Sequence, residues 1–72
     1  MQNIKFDRHA KRRMKWRKIS DEEVISVLLF PDYKESAIKG RLNAFKIIEG
    51  RTIKVTYKES DDGIYVITAV VK

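Results

Sequence analysis

The chain has 72 residues, no cysteine, one histidine and a formal net charge of +6. This length fits a single small domain over residues 1–72, and the lack of cysteine excludes disulfide cross-links and thiolate zinc sites. One histidine cannot form an imidazole cluster, and no apolar run, VITAVV at 66–71 included, is long enough to cross a bilayer. We therefore expect a cytoplasmic protein with no metal, no cofactor and no membrane association.

The excess positive charge is concentrated in the first twenty residues. This segment carries eight Lys and Arg against one Asp, a local charge of +7, whereas 21–72 carries eight cations and nine acids, a charge of −1. Such asymmetry indicates a polyanion such as nucleic acid, or an acidic protein, as the partner. A solvated helix face that only keeps a small protein soluble would show the same charge.

The first predicted element is a helix over about 8–17. Asp7 is a suitable N-cap, and the segment contains no Gly, Pro or β-branched residue. At about 100° per residue, His9, Arg13 and Arg17 form one stripe beside the apolar seam, and they span about 12 Å along the helix axis. We call these three residues the stripe. The other candidate nucleic-acid-binding residues of this helix are Lys11, Arg12, Lys15 and Trp16.

A second predicted helix begins at the capping box SDEE, 20–23, and ends at Pro31. Its VISVLLF segment is apolar on most of its circumference, so we expect it to be the more buried helix. The turn at 18–20 then makes the two helices an N-terminal helical hairpin.

Beyond Asp32 the periodicity becomes that of strands. Glu49-Gly50 suits a tight hairpin, and SDDG at 60–63 marks a turn before a strand that we expect to be covered on both faces. The predicted strands are 33–38, 41–48, 51–58 and 64–71. The predicted fold is α+β, with an N-terminal helical hairpin packed on a three- to four-stranded antiparallel sheet.

The stripe suits metal-independent RNA cleavage. This reaction needs a base for the 2′-hydroxyl, cations for the charge that develops on the phosphate, and an acid for the leaving 5′-oxygen. Histidine titrates near the working pH, and arginine binds two phosphate oxygens at once. Lys54 and Tyr57 are the candidate second proton carriers. Phosphate binding without chemistry fits the same three residues.

The aromatic residues leave two interpretations open. Trp16, Tyr33 and Phe45 could stack nucleic-acid bases. Lys58 would then add a phosphate contact. Each aromatic residue is also explained as part of a small core, and the same explanation holds for Tyr57, which alternates with apolar strand residues.

The stretch IKFDRHAKRRMKWRKISDEEVISVLLFPD resembles the opening of an uncharacterised family of small bacterial and archaeal domains, with the pattern H-A-x-x-R-M-x-x-R-x-I-S. The matching positions are His9, Ala10, Arg13, Met14, Arg17, Ile19, Ser20 and, after the second helix, Pro31. The V-I-T at 66–68 is similar to the family's closing strand. From the resemblance we expect a glycine before Ile19, where this chain has Lys18, so the turn between the helices differs.

That family is grouped with the RelE/ParE-like toxins of toxin–antitoxin systems, several of which are ribonucleases acting on messenger RNA. The resemblance implies a helix pair over an antiparallel sheet, basic residues that face RNA, and an acidic antitoxin partner, which we expect a neighbouring gene to encode. We therefore expect a toxin-like endoribonuclease that needs no metal. The alternatives are a non-catalytic nucleic-acid-binding or protein-interaction module, and a homodimer formed through an exposed final strand.

Overall fold

A computed structural model describes residues 3–72 as two helices packed on one face of a five-stranded sheet. The helices are α1 (Arg8–Arg17) and α2 (Asp21–Leu29). The strands are β1 (Asn3–Phe6), β2 (Tyr33–Ser36), β3 (Leu42–Ile48), β4 (Arg51–Ser60) and β5 (Gly63–Val71). The predicted α+β class is confirmed.

The sheet has the order β1-β5-β4-β3-β2 and is mixed. β2 to β5 form the expected antiparallel meander, but β1 pairs with β5 in parallel, from Asn3 opposite Gly63 to Phe6 opposite Val66. The prediction is therefore wrong in two details, because a strand precedes the helices and the sheet has five strands. β1 has only four residues, and its partner lies at the other end of the chain, so the local pattern carries too little signal to predict it.

The turn between the helices depends on one unusual backbone conformation. Lys18 ends α1 with φ 55° and ψ 45°, and its N–H bonds back to carbonyls of the last helical turn. This left-handed conformation costs an L-residue about 1–2 kcal/mol and is the one that glycine adopts freely.

The capping box of α2 is present as predicted. The Ser20 hydroxyl accepts from the Glu23 backbone N–H at 3.1 Å, and the Glu23 carboxylate accepts from the Ser20 N–H at 2.9 Å. The Ser20 N–H and the nearby Arg51 guanidinium lower the pKa of Glu23. Arg51 also ties the start of α2 to β4 through an ion pair with Glu23.

The core lies between the helices and one face of the sheet. α1 packs mainly against β5, and α2 packs against β3 and β4. The opposite face carries neither helix, and we call it the helix-free face. Tyr65 is 41% exposed on this face. The expectation that β5 is covered on both faces is therefore wrong. The buried cluster consists of Ala10, Met14, Ile19, Val24, Val27, Leu28, Ala44, Ile53, Val55, Tyr57, Ile64, Val66 and Ala69.

Candidate nucleic-acid interface

The stripe lies on the flank of α1 that is next to β5. Asp7 accepts the His9 backbone N–H at 3.2 Å and so fixes the first turn of the helix. Ala10 and Met14 are buried in the core, and this sets the rotation of the helix. His9, Arg13 and Arg17 remain exposed on one side of this buried seam.

The two arginines of the stripe reach β5 where β1 no longer pairs with it. β1 pairs only as far as Val66, and the chain then turns into α1. Beyond that point Arg13 donates to the Thr68 hydroxyl at 3.3 Å, and Arg17 donates to the Ala69 carbonyl at 3.5 Å. Both bonds are long, and each guanidinium has further N–H donors for a phosphate.

No carboxylate of the described chain neutralises these two arginines. The ion pairs within residues 3–72 join Lys11 to Asp21, at 2.6 Å, and Arg51 to Glu23. If Arg13 or Arg17 formed an ion pair within the chain, that pair would have to break before the arginine could bind an external anion. Since none is present, the stripe is available to an external phosphate.

Tyr65 and Asp7 extend the site in a way that sequence reasoning missed. The Tyr65 hydroxyl donates to one Asp7 carboxylate oxygen at 2.8 Å, while the other oxygen accepts the His9 N–H. The hydrogen bond from Tyr65 is the main cause that lowers the pKa of Asp7, and the same bond raises the pKa of Tyr65. The N-cap motif indicated Asp7, but no local pattern pairs it with a tyrosine 58 positions later.

The outer surface of α1 is a second basic area. Lys11, Arg12, Lys15 and Trp16 border an open depression of about 540 Å³. The indole of Trp16 is 76% exposed, so the interpretation of Trp16 as a core residue is wrong. Lys11 contributes least free charge, because its ammonium is paired with Asp21 and lies 4.5 Å from the centre of the Phe6 ring.

The remaining predicted site residues lie on β4, on two different faces of the sheet. Tyr57 is only 2% exposed in the core, as the packing explanation has it, so its hydroxyl is not placed to reach RNA. Lys54 and Lys58 lie on the helix-free face, opposite Phe45 and Tyr65 respectively. Lys54 lies opposite Val70 and is the diagonal neighbour of Thr68, and such residues are about 7–8 Å apart. Lys54 is thus on the same face as the residue that Arg13 contacts, whereas Tyr57 lies in the core.

Two further functions receive no support from the described residues. No group of three or more His, Cys, Asp or Glu side chains there could hold a metal ion. Neither helix within 3–72 is long and apolar enough to span a membrane.

A comparison with protein families matches residues 6–71 to one described as a domain of unknown function, DUF4258. The chain belongs to the DUF4258 family. The expectation of an uncharacterised small-domain family is confirmed. No curated protein and no solved structure shows a significant match. The DUF4258 match contains both helices, the stripe, Asp7 and Tyr65, so the whole candidate site lies within the family's domain.

Proposed function

We propose that this DUF4258 domain binds RNA along α1 and cleaves it without a metal, as a RelE/ParE-like toxin would. The observation that carries the proposal is the stripe: an exposed imidazole and two arginines without carboxylate partners lie along one edge of a helix. A phosphodiester placed over this edge would meet a titratable group and two fixed positive charges together.

Each residue of the stripe has a defined role in the proposed reaction. His9 takes the proton from the 2′-hydroxyl, whose oxygen attacks phosphorus while the bond to the 5′-oxygen breaks. Arg13 and Arg17 stabilise the charge that develops on the two non-bridging oxygens. The products are a 2′,3′-cyclic phosphate and a free 5′-hydroxyl, which needs a proton from a second group.

Tyr65 and Lys54 are the proposed donors of that proton. The Tyr65 hydroxyl lies next to the start of α1 and donates its proton to Asp7, so as the acid it turns that proton to the leaving oxygen and is then reprotonated by water. Lys54 lies beside Thr68, the residue that Arg13 contacts. Tyr57, the other candidate from the sequence, has no role in the proposed reaction because it is buried.

A toxin of this kind requires an inhibitor, and we propose an acidic antitoxin from a neighbouring gene. The outer surface of α1, with Arg12, Lys15 and the exposed Trp16, offers charge and apolar area to such a protein. If the adjacent reading frame encodes a small acidic protein, its co-expression should restore the growth that expression of this chain alone arrests. Growth arrest that the neighbour does not relieve contradicts the antitoxin proposal.

The cleavage proposal is tested by incubating the purified protein with RNA in the presence of a chelator. We expect fragments that end in 2′,3′-cyclic phosphate, and we expect their formation to be lost in His9→Ala. The matched control is Lys11→Gln. It also removes a positive charge from α1, but this charge is already paired with Asp21. If His9→Ala cuts as fast as the wild type, His9 has no role in the chemistry.

Binding without cleavage is the second candidate function. It is favoured by the absence of a second imidazole from the sequence, since His9 then lacks the partner that suits paired acid–base catalysis best. In this case RNA is bound with a steep dependence on salt but is recovered intact.

A further inference from the structure

The helix-free face carries a pair of stacked aromatic rings that the proposed cleavage site does not use. Tyr33 of β2 and Phe45 of β3 are cross-strand partners, with ring centroids 4.4 Å apart and ring planes inclined by 10°. Phe45 is 2% exposed and Tyr33 is 56% exposed. Because β2 is an edge strand, the far side of the Tyr33 ring is directed past the sheet into solvent. A flat ring is therefore held rigidly with one side open.

Positive charges surround this pair. Lys54 lies directly across from Phe45 on β4, and the Lys72 ammonium lies 5.5 Å from the centre of the Phe45 ring. Further along the sheet Lys58 and Lys5 flank Tyr65 on its two neighbouring strands. Among the described strand residues of this face, Glu35 is the one acidic residue. The Asn43 amide nitrogen donates to its carboxylate at 3.5 Å. Asp7 reaches the same face, where it accepts the Tyr65 hydroxyl. The four lysines thus outnumber the two carboxylates, and the face is predominantly basic.

A row of polar side chains crosses the same face from the tip of Arg13 towards Tyr33. Arg13 contacts Thr68 on β5, Thr68 lies opposite Thr56 on β4, and the Thr56 hydroxyl donates to the Asn43 amide oxygen on β3 at 2.7 Å. With strands about 4.8 Å apart, the row and the edge strand together cover about 14 Å. The row meets β2 at Glu35, the partner of Asn43, and Tyr33 lies two residues before Glu35 on the same face. The polar row therefore passes beside the aromatic pair and does not end on it.

We propose that the helix-free face binds single-stranded nucleic acid, with one base stacked on Tyr33 and neighbouring phosphates on Lys54 and Lys58. Aromatic rings combined with a basic surface are the usual means of holding single strands, because every unpaired base has a flat face to stack. A base within a duplex has both faces covered and cannot stack in this way. A second copy of the chain fits this face poorly, since its lysines would oppose lysines.

The proposal is tested by fluorescence anisotropy with a labelled single-stranded 2′-O-methyl RNA, which lacks the attacking hydroxyl and so separates binding from cleavage. We expect Tyr33→Leu to weaken binding by about 5-fold or more, whereas Tyr33→Phe retains it because the ring remains. Lys54→Gln should also weaken binding. The matched control is Lys34→Gln. Lys34 lies on β2, as Tyr33 does, but on the face of the sheet that carries the helices. A duplex of the same sequence should bind Tyr33→Leu and wild type equally.

Three results would overturn the proposal. The first is wild-type affinity in folded Tyr33→Leu, and the second is an equal loss of duplex binding. The third is self-association in sedimentation that Tyr33→Leu abolishes, which would assign the face to a second copy. If Tyr33→Leu does not fold, Tyr33→Phe combined with Lys58→Gln replaces it, because Lys58 has no role in the proposed cleavage, and wild-type affinity in that variant overturns the proposal. If the double variant Arg13→Gln/Arg17→Gln loses binding and Tyr33→Leu keeps it, the α1 site alone binds RNA. If Tyr33→Leu loses binding and the double variant keeps it, the helix-free face alone binds RNA.

Discussion

Replacing Arg13 and Arg17 together by glutamine should make RNA binding markedly less dependent on salt. Each phosphate contact by a cation releases counterions, which contributes about 0.7 to the slope of log K against log salt for a single strand. Because neither arginine has a carboxylate partner in the described chain, both charges are free to make such a contact. We therefore expect the slope of the double variant to be shallower by about 1.4.

This difference is large enough to measure directly. Over a four-fold rise in salt, from about 50 to 200 mM, a slope change of 1.4 alters the loss of affinity by about 7-fold. The assay is a salt titration of the anisotropy of labelled single-stranded RNA, with Lys11→Gln as the control. Lys11 is paired with Asp21 at 2.6 Å, so its removal should change the slope much less.

Equal slopes for the double variant and the wild type would show that Arg13 and Arg17 do not contact phosphates. A slope change of about 0.7 for Lys11→Gln, the change expected for one arginine, would contradict the proposal as well. The ion pairs would then not predict which charges are free. Circular dichroism of each variant shows whether the fold is retained.

Three other substitutions test the local structure. The Tyr65–Asp7 bond lowers the pKa of Asp7 and raises that of Tyr65, so its stabilisation is lost as pH falls below about 4 or rises above about 10. In urea unfolding, Tyr65→Phe should thus have a lower free energy of unfolding than the wild type, and the difference should be largest between these pH values. A difference that does not depend on pH would contradict this. Lys18→Gly should raise the free energy of unfolding by about 0.5–1 kcal/mol, seen as a higher melting temperature, because glycine relieves the left-handed backbone; a lower melting temperature would show that the turn is not strained. Gly63→Ala should cost at least about 2 kcal/mol, because the added Cβ would lie 2.1 Å from the Asn3 carbonyl oxygen. Gly50→Ala, also at positive φ but with open space around it, should cost less in the same thermal unfolding, and equal losses would contradict the clash.

The elements with strong local signals could be predicted from the sequence. The capping box at 20–23 and the Asp7 N-cap each depend on residues within four positions, and both are present as hydrogen bonds. The hairpin at Glu49-Gly50 forms with positive φ at both residues, as its composition predicts. In these cases the cause of the structure lies within the segment itself.

The features that were missed depend on contacts between distant parts of the chain. β1 exists because β5 has a free side for it, which a four-residue segment cannot show by itself. The position of Tyr65 beside Asp7 requires the same pairing. Alternation places Phe45 and Tyr57 on opposite faces of neighbouring strands, but only the docked helices decide which face becomes the core.

The candidate site was predicted in part for the same reason. Helical spacing alone puts the stripe on one edge of α1, and the structure has all three residues exposed there. Spacing could not show whether Arg13 and Arg17 would be neutralised, because their possible partners are far away in the sequence. Their catalytic role stays a prediction.

The central claim is that His9 on the edge of α1 activates a 2′-hydroxyl. Its most direct test is a DNA oligonucleotide that contains one ribonucleotide, incubated with the protein in chelator and analysed for product ends. We expect a single cut after the ribonucleotide, with a 2′,3′-cyclic phosphate on the upstream product, and no cut by His9→Ala. Cutting of the all-deoxy strand, or a cut at the ribonucleotide by His9→Ala at the wild-type rate, would contradict it.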